Sequence, residues 1–137
     1  MREFAPPGQL RRYVACIIFR MINVNELALA AEKEFSFLEG LGFPLTEWSE
    51  IFPESFKGGF KLIFRGPSGT RVVIRYTDCE FAVRAGKKEI FGPNQHEPFA
   101  GNMFSREHLI DALPKIRQSI EPSLSSFVVG HITKPCS

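Results

Sequence analysis

Apolar residues recur at Val24, Leu27, Ala28, Ala31, Phe35 and Leu38, a spacing that lays one stripe along a helix, with Glu26, Lys33 and Glu34 on other faces. Asn23 stands where an N-cap belongs, and Glu26 follows three residues later. Gly40 and Gly42 end the pattern, because glycine readily takes the left-handed conformation that closes a helix, and Pro44 blocks its resumption. The period then changes from helical to alternating. Residues 45–52 alternate imperfectly, and after Pro53 and Gly58-Gly59 the residues Phe60, Leu62 and Phe64 alternate with Lys61, Ile63 and Arg65. Gly66-Pro67-Ser68-Gly69 is turn chemistry, and Val72, Ile74 and Tyr76 alternate directly after it. A second turn at Thr77-Asp78 leads to Phe81, Val83 and Ala85 alternating with Glu80, Ala82 and Arg84, and Gly86 opens a third before a short strand over 89–91. The pattern predicts an antiparallel meander of four to five strands.

Residues 92–104 hold two prolines, two glycines and two asparagines and read as a long loop. Ser105 is positioned to cap a second helix with apolar residues at Leu109, Leu113, Ile116 and Ile120, which Pro114 is expected to kink or divide and Pro122 to end. Beyond it, residues 127–129 read as a further edge strand or as tail. At the other end, the apolar run 13–19 follows Arg11 and Arg12 but closes on Arg20, is too short for a membrane span and has no small-x-small cleavage site, so it is read as neither an export signal nor an anchor. Residues 1–20 are an edge strand or an extension upstream of a start at Met21. The expectation is one α+β domain over 21–137, its sheet packed with an N-terminal and a C-terminal helix.

The composition adds limits. A chain of 137 residues can bury roughly 65 to 70% of its unfolded surface in one core, and fourteen phenylalanines favour a bulky layer between sheet and helices. A formal charge of +2 implies neither nucleic acid nor an acidic membrane by itself, so the placement of cations has to carry any such reading. Cys16, Cys79 and Cys136 are odd in number and scattered, which fits a reducing compartment and a cytoplasmic location rather than a disulfide framework or a cysteine zinc site.

Three groups of residues are candidates for chemistry. Alternation that buries Leu62, Ile74 and Val83 sends Lys61, Arg65, Arg71, Arg75 and Arg84 to the opposite sheet face, where they form either a surface for phosphates or an acidic protein, or a solvated face balanced by acids such as Glu80. Ile63 and Val73 on the same face make it less than purely polar. The stretch Glu47, Trp48, Ser49, Glu50 combines an anchor-type indole with carboxylates, suited to a protein interface, although a core tryptophan on a strand is the alternative. His96 and Glu97 in the long loop offer an acid–base pair or two metal ligands, but no third ligand stands at diagnostic spacing and an ordinary polar loop is the plainer reading. Cys79 beside Asp78 does not read as a nucleophile, because an adjacent carboxylate raises a thiol pKa. No phosphate-binding loop, dinucleotide fingerprint, H-E-x-x-H or nucleophile elbow occurs, and neither a cofactor nor a metal is implied.

A first helix ending in Phe35-Ser36-Phe37-Leu38-Glu39-Gly40-Leu41-Gly42-Phe43, an acidic and aromatic strand, a meander, and a closing helix with Ala112-Leu113-Pro114 together resemble small bacterial cytoplasmic proteins, among them immunity proteins encoded beside contact-dependent or other polymorphic toxins. The resemblance is one of layout and covers roughly residues 21–121. It implies a stoichiometric binder that blocks a toxin domain and has no catalytic residues of its own. The basic sheet face departs from the acidic surface common among immunity proteins against nucleases. The sequence therefore points first to a non-enzymatic protein-binding module with a protein partner and no membrane. The alternative is a nucleic-acid-associated accessory protein using the five cations, followed by a small enzyme using His96 and Glu97.

Overall fold

The helical stripe that begins at Val24 forms as α1, Val24–Glu34, in a computed structural model that describes residues 22–52, 58–93, 99 and 101–133. Asn23 caps it as expected, its Oδ1 accepting from the Glu26 N–H at 2.8 Å. The helix breaks at Phe35–Ser36, where the Ser36 hydroxyl donates to the Lys33 carbonyl, and a single turn, α2 (Phe37–Gly40), carries the apolar stripe on to Leu38. Gly42, at φ 97°, then closes it: its N–H donates to Glu39 O and that of Phe43 to Leu38 O, the paired bonds of a Schellman ending.

The sheet has five antiparallel strands in chain order: β1 (Leu45–Ile51), β2 (Gly59–Arg65), β3 (Arg71–Thr77), β4 (Glu80–Ala85) and β5 (Lys88–Phe91). The β2–β3 turn is the expected Gly66–Gly69 segment, with Ser68 at φ 63°. The β3–β4 turn is centred one residue later than expected. Asp78 and Cys79 both have positive φ, 54° and 67°, the conformation whose twist matches a two-residue hairpin, while Thr77 and Glu80 pair as the last rung. Residues 102–104 are stitched to the start of β4. Phe81 N–H donates to Asn102 O, Phe104 N–H donates to Cys79 O, and the buried Asn102 side chain donates to Phe81 O at 3.0 Å.

The last element corrects two expectations. From Arg106 to Thr133 the chain is one helix, α3, so Pro114 does not divide it, Pro122 does not end it, and residues 127–129 are helical rather than a strand. Each proline removes one backbone hydrogen bond and costs about 3 kcal/mol. Against this stand Leu109, Leu113, Ile116, Ile120, Leu124 and Val128, all buried on one stripe, each worth roughly 1.5–3 kcal/mol. Both prolines lie on the exposed side, where water can serve the carbonyls they free. Ser105 Oγ accepts from His108 N–H and caps the helix as expected.

Helices α1 and α3 pack against each other and on the same face of the sheet. Between the layers lie Phe60, Leu62, Phe64, Val72, Ile74, Tyr76, Phe81, Val83 and Phe91, all essentially inaccessible. Many of the phenylalanines meet here edge to face, with Phe81–Phe91 and Phe91–Phe99 centroids 5.8 and 5.5 Å apart. Arg117 ties the two helices together through Glu34 at 3.2 Å and Glu121 at 2.6 Å. No helix among the described residues is long and apolar enough to cross a membrane.

Among the described residues Tyr76 is the one hydroxyl set deep in this layer, and it donates to Phe104 O at 2.8 Å. Burial, reinforced by the neighbouring Cys79, pushes its pKa well above the ordinary phenol value of about 10. The folded chain therefore holds this proton at pH values where the unfolded chain has lost it, so its contribution is complete below about pH 10 and declines as pH rises further. Urea titrations from pH 8 to 11 should show that decline in the parent and a flatter profile in Tyr76→Phe. The variant should also lose about 1–3 kcal/mol at neutral pH, because the Phe104 carbonyl is left without its donor. Gly59 is a second sensitive point, since a Cβ there would lie 1.6 Å from the Tyr76 carbonyl oxygen. Gly59→Ala should cost about 1–3 kcal/mol in the same titration.

Candidate functional site

Strand register decides which side chains share the sheet face turned away from the helices. Directly opposed residues lie on the same side, so the pairs Arg65↔Arg71, Ile63↔Val73 and Lys61↔Arg75 form three successive rungs of β2 and β3 on that outer face. The middle rung continues to Glu47 on β1 and Arg84 on β4, and Arg84 stands opposite Glu89 on β5. Ser49 extends the Lys61–Arg75 rung on one side and Ala82 on the other, while Glu80 pairs with Thr77 one rung beyond. The columns of β2 and β3 thus read cation, apolar, cation, and carboxylates stand to either side.

Between the walls is a groove of about 670 Å³, and its lining includes Lys61, Arg71, Arg75, Arg84, Glu80 and Glu89 over Val73 and Ala82. Arg65, exposed, stands beside Arg71 at the end of the sheet and outside the groove. Ile63 is only 1% exposed although it faces away from the inner core, and Val73 is half-buried. Among the described residues, ion pairs join Arg117 to Glu34 and Glu121 on the helix side, and none involves Lys61, Arg65, Arg71, Arg75 or Arg84. Arg84 instead donates to the Lys87 carbonyl at 3.3 Å. Glu89, its cross-strand neighbour, lies over Gly92, where a Cβ would meet its carboxyl carbon at 2.2 Å.

The Trp48 stretch is divided by the same register. Trp48 pairs with Leu62 and Glu50 with Phe60, which puts both on the helix side, and Trp48 is partly buried against the core with its Nε1 enclosed and unbonded. Glu47, opposite Ile63, is on the outer face. The indole and the five cations consequently lie on opposite sides of the sheet. His96 and Glu97 lie outside the described residues, as does the run 13–19, and no group of three metal-ligating side chains occurs among the residues described. Cys79 is a half-buried free thiol at the β3–β4 turn.

Glu89, Asn102 and Ile51 also line the groove and carry no signal in the sequence that assigns them to it. A second, more apolar hollow of about 480 Å³ runs along α3 between Phe99, Met103, Phe104, His108 and Lys115. It depends on the approach of Phe99, Met103 and Phe104 to α3, which no local pattern announces.

Fold and site together define the class: a two-layer α+β domain with a helix-covered sheet face and an opposite face built of basic rungs around an apolar centre. No protein-family model, curated protein or solved structure matches the chain.

Directly opposed like charges destabilise a sheet by amounts comparable to the roughly 0.2–1 kcal/mol that favourable cross-strand pairs supply. Arg75→Glu converts the Lys61–Arg75 repulsion into attraction, so it should raise folding stability by about 0.5–1 kcal/mol at low salt. The gain should shrink as salt rises, because exposed charges are screened. Urea midpoints of parent and variant at two ionic strengths measure both effects.

Proposed function

We propose that this chain is a non-enzymatic protein-binding module that docks an acidic partner on the outer face of its sheet. The observation that carries the reading is the pair of opposed cation rungs, Lys61–Arg75 and Arg65–Arg71, which have no ion-pair partners among the described residues and stand on either side of the half-buried Val73. A groove floored by Val73 and Ala82 and bounded by charges is the arrangement of an interface in which a few buried contacts provide affinity and the surrounding charges provide orientation. A toxin domain captured stoichiometrically is a partner of this kind, and it is the one suggested by the layout of the chain.

A nucleic-acid partner is the second reading, supported by the guanidinium groups, which suit phosphate oxygens. Two features favour protein over nucleic acid. No aromatic side chain among the described residues faces outward from β1 to β4, whereas sheet faces that hold single strands stack bases on aromatic rings. In addition, Glu47, Glu80 and Glu89 flank the cations and would repel a phosphate backbone.

The test is retention on tagged protein from a lysate of the native host, with the parent compared with Arg75→Glu and Lys61→Glu. One protein held at equimolar ratio by the parent, and lost with either substitution, is expected. Retention unchanged by both substitutions would overturn the use of this face. Nucleic acid recovered in its place, with log affinity falling against log salt at a slope of about −4 for five phosphate contacts, would establish the second reading.

A further inference from the structure

We infer that residues 13–19, the apolar run near the start of the chain, pack on the outer face of the sheet over Ile63. They divide that face into a covered half on β1 and β2 and an open half on β3 and β4, whether or not the open half binds a partner. Two neighbours on one rung differ in a way that requires such a cover. Ile63 and Val73 are directly opposed, yet Ile63 is 1% exposed while Val73 is only half-buried. Val73 has Arg71 and Arg75 beside it on its own strand and Arg84 across from it, so cationic stems of this length do not seal a β-branched side chain on this surface. Lys61, Arg65 and Glu47 hold the equivalent places around Ile63, and a further group has to close over it.

The cover has a direction. On the neighbouring rung Lys61 is half-buried and Arg75, opposite it, is exposed, and Ser49 and Ile51 on β1 are half-buried as well. Beyond Ile63 both Arg65 and Arg71 are exposed, as is Glu47 on the β1 side. A covered strip therefore starts at the Gly59 end of β2, runs over four residues or about 14 Å to Ile63, and stops there. The groove over Val73, Ala82 and Arg84 begins where the strip ends laterally, with Lys61 at the border and Ile63 outside it.

Helices α1 and α3 lie on the other face, so the cover comes from residues outside those described. Residues 94–98 are Asn-Gln-His-Glu-Pro and 134–137 are Lys-Pro-Cys-Ser, neither with a large apolar side chain, and 53–57 offer Phe56 alone, close to Gly58 at the start of the strip. Residues 13–19 hold Tyr13, Val14, Ile17, Ile18 and Phe19. Their end of the chain is also in the right place. Arg106 donates to the carbonyls of both Ile22, at 3.2 Å, and Gly58, at 3.3 Å, so the chain enters α1 beside the start of β2. Seven residues span about 10 Å as a helix and about 23 Å as a strand, and the strip falls between the two. The inner face is already filled by α1 and α3, which leaves the outer face as the apolar seat for the run. Followed from Ile22 towards Ile63, the segment brings Arg11 and Arg12 to the far end of the strip, where exposed Glu47 attracts them and Arg65 holds them to the β1 side.

The test uses the full chain with its isoleucine δ1 methyl groups labelled for NMR. The Ile63 methyl should show nuclear Overhauser contacts to protons of residues 13–19, and a soluble nitroxide should leave its signal as sharp as that of Ile74 in the inner layer. Ile17→Glu or Ile18→Glu, whichever side chain faces the sheet, should lower the urea midpoint by about 1 M. In that variant, without urea, the nitroxide should broaden Ile63 and spare Ile74. If both variants unfold, the contacts in the parent decide alone. Overhauser contacts of Ile63 confined to Phe56 or to side chains of β1, β2 and β3 would overturn the inference. So would an Ile63 signal broadened in the parent, or one equally protected in the parent and in both folded variants. Retention of a partner through Arg75 is measured separately, so loss of the docking face and loss of this packing are distinguishable results.

Discussion

Helices α1 and α3 are committed to one face of the sheet, and the remaining features of the structure follow from that commitment. A five-stranded sheet has two faces, and α1 and α3 pack side by side on the face formed by Phe60, Leu62, Ile74, Tyr76 and Val83. The gain from sealing that layer is large enough to carry a helix through two prolines, since six buried residues of α3 outweigh the two backbone bonds lost at Pro114 and Pro122. It also holds the Tyr76 hydroxyl in a site where only its neutral form is comfortable. None of the described helices covers the other face, where Ile63 is nevertheless buried and Val73 half-buried while Arg65, Arg71, Arg75 and Arg84 are exposed.

That outer face is not arranged for maximum stability. A sheet exposed to solvent gains most from alternating charges across its rungs, yet here Arg65 opposes Arg71 and Lys61 opposes Arg75. The carboxylates that might have interleaved with them, Glu47, Glu80 and Glu89, stand to the sides. At the centre Val73 is half-buried, adding apolar area where a purely solvated face would be polar, and Ile63 beside it is buried. Concentrating one sign in the middle costs folding energy, and in the proposed function an acidic partner would offset it. The same feature that carries the functional proposal is therefore a local cost to the isolated fold.

Much of this was legible in the sequence because strand alternation has a period of two and needs no knowledge of partners. Phe60, Leu62, Phe64, Val72, Ile74 and Tyr76 name the inner face, and their neighbours name the outer one. The helix ends were equally readable, since Asn23, Gly42 and Ser105 act on backbone groups a few residues away. What could not be read depends on distant contacts. Proline weakens a helix locally, and nothing in residues 106–133 says that the sheet beneath will hold α3 together. The hairpin turn was displaced by one residue because Thr77 takes the last rung and Cys79 adopts a positive φ, an uncommon choice for that side chain. Glu47, Trp48 and Glu50 are adjacent in sequence but not in space, because alternation in β1 places Glu47 on one face and the other two on the opposite one.

The groove and the layer that supports it are assembled from different parts of the chain. The five cations come from β2, β3 and β4, which are consecutive strands joined by short turns, so their spacing is set by local hairpin register. The covering helices come from residues 24–34 and 106–133, on either side of the sheet in sequence, and meet only when the chain closes on itself. Local pairing defines the geometry of the site, while its persistence relies on long-range burial, because three short strands bearing opposed cations would not remain paired in water without a covered face. Changes in the helices should therefore act on the proposed binding through the amount of folded protein, and changes on the outer face through the proposed docking surface itself. That separation makes the cations of β2 and β3 the informative positions, since each can be altered without touching the layer on which the fold depends.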